Sequence, residues 1–95
     1  MNAVNQLAVA RIEVQAQARV TREAVLASVA APENCERAKE SFWRYAVEQW
    51  GGRCDDGRLL ETILPVQAKR ELTKLAQARS RLQAAQARVD REATS

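Results

Sequence analysis

The chain of 95 residues contains no histidine, and it has only three glycines, two prolines and two cysteines. Histidine is the most frequent general base and metal ligand in enzymes, so its absence excludes much acid–base and metal chemistry. Cys35 and Cys54 are too far apart in the sequence to form a CxxC pair, and a zinc site would need four ligands. All three glycines lie in GGRCDDG, residues 51–57, which we interpret as a turn. We therefore expect no enzyme, and no metal or other cofactor.

Long apolar runs are also missing. No uninterrupted apolar stretch approaches the roughly 18 residues that a membrane-spanning helix requires, and no basic segment followed by an apolar one opens the chain. We expect neither a signal peptide nor a membrane span. The expected location is the cytoplasm, with both cysteines reduced.

Alanine is abundant: 18 residues are Ala, whereas only two Trp, one Tyr and one Phe supply aromatic rings. Alanine favours helices but contributes little apolar area to a core. A single copy would therefore have a thin core, and small chains of this kind often gain stability by association. The composition favours a homo-oligomer, with a dimer as the simplest form.

One nine-residue segment occurs twice. AQARVTREA at residues 16–24 returns as AQARVDREA at residues 85–93, with Thr21 against Asp90 as the single difference. Both copies consist mainly of strong helix formers and contain neither glycine nor proline. The sequence predicts an all-α protein in which two long antiparallel helices form a coiled-coil-like hairpin with a shorter, aromatic-rich helix between them.

Proline and glycine set the predicted boundaries, because the residue before proline avoids the α region and glycine ends helices. We predict a single helical domain over residues 1–95, in which Pro65 either kinks the last helix or starts it afresh. The predicted elements are helix 1 at about 2–30, helix 2 at about 33–50, a loop at 51–57 and helix 3 at about 58–93.

Apolar residues on the long helices follow helical spacing. In the last helix the alternation of three and four predicts a coiled-coil seam of Leu75, Ala78, Leu82, Ala85 and Val89. In the first helix one side offers Val4, Leu7, Val14, Ala18, Val25 and Val29. The opposite side carries a second, weaker stripe, for which we predict self-association: Val9, Ile12, Ala16 and Val20. A helix with two apolar faces needs two partners.

The aromatic helix is the predicted binding site for a protein partner, because Trp and Tyr bury large areas with few rotatable bonds. The residues assigned to this site are Trp43, Arg44, Tyr45 and Val47. The alternative is that the rings fill the end of the core, which we favour for Phe42 and Trp50.

A basic stripe is predicted on the last helix. Residues 65–95 carry seven basic and three acidic groups, and four of the basic residues are expected opposite the seam: Arg70, Lys74, Arg81 and Arg88. Such a line could follow the phosphates of a nucleic acid. No aromatic residue is interleaved for base stacking, so an ordinary solvated face is the favoured interpretation.

The function that the sequence favours is a non-enzymatic helical protein-interaction module: an adaptor, regulator or inhibitor of a protein partner. The excess of arginine (12) over lysine (3) is typical of a GC-rich bacterial or phage gene, so a phage or mobile-element origin fits. Two alternatives remain open. One is a nucleic-acid-binding helical dimer that uses the basic stripe, and the other is a structural or assembly coiled-coil component.

Overall fold

The computed structural model describes residues 2–27, 36–50 and 64–94, and within these ranges the secondary structure is α-helical, without strands. Helix α1 spans Ala3–Ala27, α2 spans Glu36–Gln49 and α3 spans Val66–Thr94. The prediction of an all-α fold with two long helices is confirmed. The predictions for Val29, Pro32, the two cysteines and the 51–57 loop lie outside the described residues.

Helix α1 starts at a side-chain cap. The amide of Asn5 donates to Oδ1 of Asn2 at 2.8 Å, and the amide of Gln6 donates to the Asn2 carbonyl at 3.0 Å. Asparagine is favoured at this position because its side-chain oxygen satisfies an amide that has no partner within the helix. The 25 residues that follow contain no helix breaker, so α1 continues for about 37 Å at 1.5 Å per residue.

Helix α3 begins directly after Pro65, whose carbonyl accepts the amide of Lys69 at 3.1 Å. Leu64 lies in a bend and not in a helix, as expected for a residue whose α conformation would clash with the proline ring. At Pro65 the structure therefore shows a fresh start of α3 and not a kink within a continuous helix. The predicted helical residues 58–63 lie outside the described part of the chain.

Helices α1 and α3 are antiparallel. Three contacts establish the direction: Gln6 meets Arg88, Glu13 meets Arg81, and Thr21 meets Glu71, so residue numbers rise on one helix and fall on the other. The buried residues of the pair are Ala3, Leu7, Ala10, Thr21 and Val25 on α1, and Ala68, Glu71, Leu72, Leu75 and Ala78 on α3. The predicted antiparallel pairing of two long helices is confirmed.

The interface follows coiled-coil spacing on both helices. Buried and half-buried positions alternate by three and four along α1 from Ala3 to Thr21, as they do along α3 from Ala68 to Val89. The first-helix face was predicted with a spacing of 3.6 and included Val4, which is 64% exposed. Val4 was therefore wrongly assigned to this face, because the seam passes through the preceding residue, Ala3.

The core is concentrated at one end of the hairpin, where α2 packs. Its buried members are Val25 of α1, Ala46 of α2, Leu64, and Ala68 and Leu72 of α3. Four partly buried aromatic residues pack against this cluster: Phe42, Trp43, Tyr45 and Trp50. Towards the other end the α3 seam residues Leu82, Ala85 and Val89 are only half-buried. The aromatic rings of α2 thus supply, at this end of the hairpin, the buried apolar area that alanine cannot provide.

Candidate functional site

The aromatic side chains of α2 lie mainly against the core. Trp43 and Tyr45 are half-buried and pack on the cluster that contains Val25 and Leu72. Val47 is half-buried beside Trp50, whereas Arg44 is exposed and its Nε lies 3.3 Å from a Glu40 carboxylate oxygen. The four residues predicted as a partner site therefore share one helix, but three of them have part of their surface covered within the chain.

Helix α2 is also joined to α1 by an ion pair. Nη2 of Arg22 lies 3.1 Å from the Glu40 carboxylate, and both side chains are about two-fifths exposed. Glu40 thus contacts Arg22 on α1 and Arg44 on its own helix. These contacts hold the polar edge of α2 in place while its rings lie on the core.

The predicted basic stripe is placed differently from what the sequence suggested. Lys74, Arg81 and Arg88 do not lie opposite the α3 seam but immediately beside it, where they reach across to α1 or to acidic neighbours. Lys74 pairs with Glu71 at 3.2 Å, Arg81 with Glu13 at 3.6 Å, and Arg88 with Glu92 at 3.4 Å. Arg70 is exposed and lies elsewhere on α3. The prediction erred because these three residues occupy positions that flank a coiled-coil seam.

The second apolar face of α1 is exposed in the single chain. Val9 is 42% exposed, Ile12 65% and Val20 49%, and Ala16 between them is exposed too. These four residues, which we call the α1 stripe, were predicted to mediate self-association. Val9, Ile12 and Val20 are among the exposed large apolar side chains of the described residues, together with Val4 and Val66.

The α1 stripe borders a groove between α1 and α3. The α1 wall consists of Gln6, Val9, Glu13, Ala16 and Val20. The α3 wall consists of Lys74, Gln77, Arg81, Ala84, Arg88 and Arg91. The floor consists of Ala10, Gln17, Ala78 and Ala85. The ion pair of Glu13 and Arg81 crosses the groove and divides it into two basins of about 480 and 380 Å³.

A polar network that the sequence did not suggest lies within the α1–α3 interface. Nε2 of Gln17 donates to Oε2 of Glu71 at 2.6 Å and to Oγ1 of Thr21 at 3.0 Å. Oγ1 of Thr21 lies 2.7 Å from the Gln17 carbonyl and 3.0 Å from the Glu71 carbonyl. Gln67 and Lys74 each donate to Oε1 of Glu71 at 3.2 Å. The heptad spacing of α1 indicates that Gln17 and Thr21 lie near the seam, but it does not identify Glu71 of α3 as their partner.

Glu71 is held in its ionised form. The hydrogen bond from Gln17 is the largest cause that lowers the pKa of the Glu71 carboxyl, followed by the hydrogen bond from Lys74. Desolvation by burial raises the pKa in part, and the positive charge of Lys74 lowers it again. The folded state therefore prefers the carboxylate more strongly than the unfolded chain does.

This preference makes the stability depend on pH in the acid range. The contribution of Glu71 to the free energy of unfolding is fully present above its unfolded pKa, about 4.3. This contribution is lost as the pH falls through the lower pKa of the folded state. We expect the thermal midpoint of the wild type to fall more steeply than that of Glu71→Gln between about pH 6 and pH 3. Thermal melts followed by circular dichroism measure both slopes. Glu48→Gln, at an exposed position on α2, should retain the wild-type slope, and parallel curves for the wild type and Glu71→Gln would contradict the assignment.

Other kinds of site receive no support from the described ranges. Residues 2–27, 36–50 and 64–94 hold no group of three or more Cys, Asp or Glu side chains placed to bind a metal ion. No helix in these ranges has both the length and the hydropathy needed to cross a membrane. Comparisons with protein-family models, with curated proteins and with solved structures found no match. Among the described residues, exposed apolar surface beside a groove is thus the feature that bears on function.

Proposed function

We propose that the protein is a non-enzymatic interaction module of the cytoplasm, and that it binds a helical segment of a partner protein at the α1 stripe and the adjoining groove. The observation that carries this proposal is the exposure of Val9, Ile12 and Val20 in a row along one helix. Scattered exposed apolar residues are ordinary, but a contiguous row beside a groove marks an interaction surface.

The shape of the surface supports a helical occupant. The α1 stripe and the groove extend together over four turns of α1, and their apolar residues recur at spacings of three and four. An amphipathic helix presents its own apolar residues at the same spacings, so two such surfaces pack together along their length. The aromatic residues of α2, which already pack on the core, serve in this proposal to hold the hairpin rigid.

The contacts of the basic residues do not favour nucleic acid. Lys74, Arg81 and Arg88 each lie beside a carboxylate of the same chain. A phosphate would have to displace these partners, whereas proteins that track a nucleic acid backbone present a positively charged groove. The aromatic rings of α2 pack against the core at one end of the hairpin, outside the groove, so they offer no stacking platform beside these residues.

Self-association through the α1 stripe is a second candidate, and the same exposure of Val9, Ile12 and Val20 favours it. A second copy would cover apolar surface that the single chain leaves in water. This candidate includes the structural or assembly role, in which the chain binds only itself. Sedimentation of the purified chain over a range of concentrations separates the two, because a dimer that Ile12→Ser dissociates would identify the second copy as the occupant.

The test of the first candidate places a photo-crosslinking amino acid at position 12 and, as a matched control, at position 66. Val66 is 59% exposed but lies outside the stripe and the groove. We expect a specific protein to be crosslinked from position 12 and not from position 66. Once that protein is purified, Val9→Ser with Ile12→Ser should weaken its binding by at least about tenfold, since truncated interface anchors commonly cost more than 1 kcal/mol each.

The substitutions are not expected to disturb the fold, because exposed positions change stability by about 0.5 kcal/mol or less. Val66→Ser should bind the partner as the wild type does. Crosslinking of the same proteins from both positions, or unchanged binding by the double variant, would refute the proposed surface.

A further inference from the structure

The middle of α1 buries its polar side and exposes its apolar side. Thr21 is fully buried and Gln17 is half-buried against α3. Ala16 and Val20, each one position earlier, are exposed. Apolar surface usually decides which side of a helix is covered. At these four positions the opposite has occurred, so apolar area alone does not explain the arrangement.

The second copy of the repeated segment provides a comparison within the same molecule. In α3 the apolar pair of the segment, Ala85 and Val89, is half-buried on the seam. Asp90, which stands where α1 has Thr21, is exposed. The segment is therefore able to bury either side, and what lies opposite it decides which side is buried.

Glu71 is the residue that lies opposite the polar side of α1. It is 5% exposed, and its Oε2 accepts a hydrogen bond from Nε2 of Gln17 at 2.6 Å. Its carbonyl oxygen lies 3.0 Å from Oγ1 of Thr21. Buried charged groups commonly contribute less stability than apolar side chains of similar volume would. Stability alone therefore does not account for a carboxylate at this position.

The rest of the interface fits more than one alignment. Both seams alternate small and larger aliphatic residues at heptad spacing, so shifting α3 along α1 by seven residues again brings apolar residues together. The ion pair across the groove distinguishes these alignments poorly, because the same shift brings another basic residue, Lys74 or Arg88, level with Glu13. Neither apolar area nor charge thus selects the observed alignment.

The polar network does distinguish the alignments. A shift of seven residues in either direction places Leu64 or Ala78, in place of Glu71, opposite the polar side of α1. Neither side chain accepts a hydrogen bond, so the amide of Gln17 would be covered without its acceptor on α3. Covering a polar group that has lost its partner is costly.

We propose that Gln17, Thr21 and Glu71 form a pairing-specificity device, which makes one alignment of α1 and α3 unique at a cost in stability. A polar residue in a coiled-coil seam specifies register and oligomeric state in this way. The device also fixes which side of α1 faces solvent as the α1 stripe. The inference does not depend on which molecule binds that stripe.

The proposal distinguishes joint replacement of the network from single replacement. A single substitution leaves the other members without a partner and is destabilising. Replacement of all three members by apolar side chains of similar shape leaves none of them unsatisfied. The two further partners of the Glu71 carboxylate, Gln67 and Lys74, are exposed and return to water.

The experiment compares the wild type with the triple variant Gln17→Met, Thr21→Val and Glu71→Met. We expect urea denaturation followed by circular dichroism to give the variant a midpoint equal to or higher than that of the wild type. We expect its single alignment to be lost. Trp43 and Trp50, the two tryptophans of the chain, pack where the three helices meet, so their indole N–H signals in a nitrogen–proton correlation spectrum report the alignment. The wild type should give one signal for each ring, and the variant additional or broadened signals.

The matched control is Gln86→Met with Asp90→Val, which makes the corresponding changes in the second copy. There Gln86 donates to Asp90 within α3, and neither residue bonds to a described residue of α1. The control should keep one signal for each tryptophan. A triple variant that is less stable than the wild type would show that the network is chiefly stabilising. A triple variant with a single set of signals, or a control that loses its single set, would equally overturn the proposal.

Discussion

Leu72→Ala is expected to lower the free energy of unfolding by about 2–5 kcal/mol, the range for removing a large buried aliphatic side chain. Leu72 is only 2% exposed and belongs to the cluster where all three helices meet. Alanine at this position would leave a cavity that neighbouring rings on α2 can only partly fill. Native proteins have free energies of unfolding of about 5–15 kcal/mol, so the variant should lose a large fraction of its stability.

Leu82→Ala provides the matched control, because the substitution is the same and Leu82 lies on the same seam but is only half-buried. We expect a clearly smaller loss, since less apolar surface is returned to water and water can enter the space. Urea denaturation followed by circular dichroism measures both variants. Equal losses at the two positions would show that the core is not concentrated at the α2 end.

Thr21→Val is expected to lower the free energy of unfolding by about 1–3 kcal/mol, the usual range when buried polar groups lose a partner. Thr21 is fully buried, with 0% of its surface exposed. Valine has nearly the same shape, but it cannot accept the hydrogen bond from the Gln17 side-chain amide. It also cannot supply the single hydroxyl hydrogen that Thr21 shares between the Gln17 and Glu71 carbonyls. The effect therefore arises from lost hydrogen bonds and not from a change in volume.

Thr73→Val is the control for this substitution. Oγ1 of Thr73 donates to the Lys69 carbonyl one turn earlier at 3.0 Å, as Thr21 does to Gln17, but Thr73 is exposed and makes no bond to α1. Its replacement should change stability by about 0.5 kcal/mol or less. If chemical denaturation gave the same loss for both threonines, the cross-helix bonds would contribute nothing.

The polar network also affects the register in which α1 and α3 pair. Seams of alternating alanine and larger aliphatic residues can slide by seven residues and still place apolar residues together. Gln17 and Thr21 find hydrogen-bond partners only where Glu71 lies opposite them. A polar position within a coiled-coil seam is well suited to fix the register for this reason, because a shifted alignment would bury these groups without partners.

The seam of α3 followed from the sequence, since Leu75, Ala78, Leu82, Ala85 and Val89 are buried or half-buried in the structure. The helices and their pairing could be predicted because the spacing of apolar residues indicates which face of each helix is buried. The site was harder to predict. Which cations flank a seam depends on the rotation of α3 against α1, and an error of one position rotates the assigned face by about 100°, which moves a residue between the interface and its flank.

The two copies of the repeated segment separate what the sequence determined from what the tertiary structure decided. Helix-forming residues made both copies helical, and both contain the same local bond over four positions, Gln17 to Thr21 and Gln86 to Asp90, at 3.0 Å. Only the tertiary structure placed Thr21 in the buried interface opposite Glu71 and left Asp90 exposed to solvent. The physical reason is that local propensity depends on neighbours along the chain, whereas burial depends on what the antiparallel pairing and α2 bring against each face.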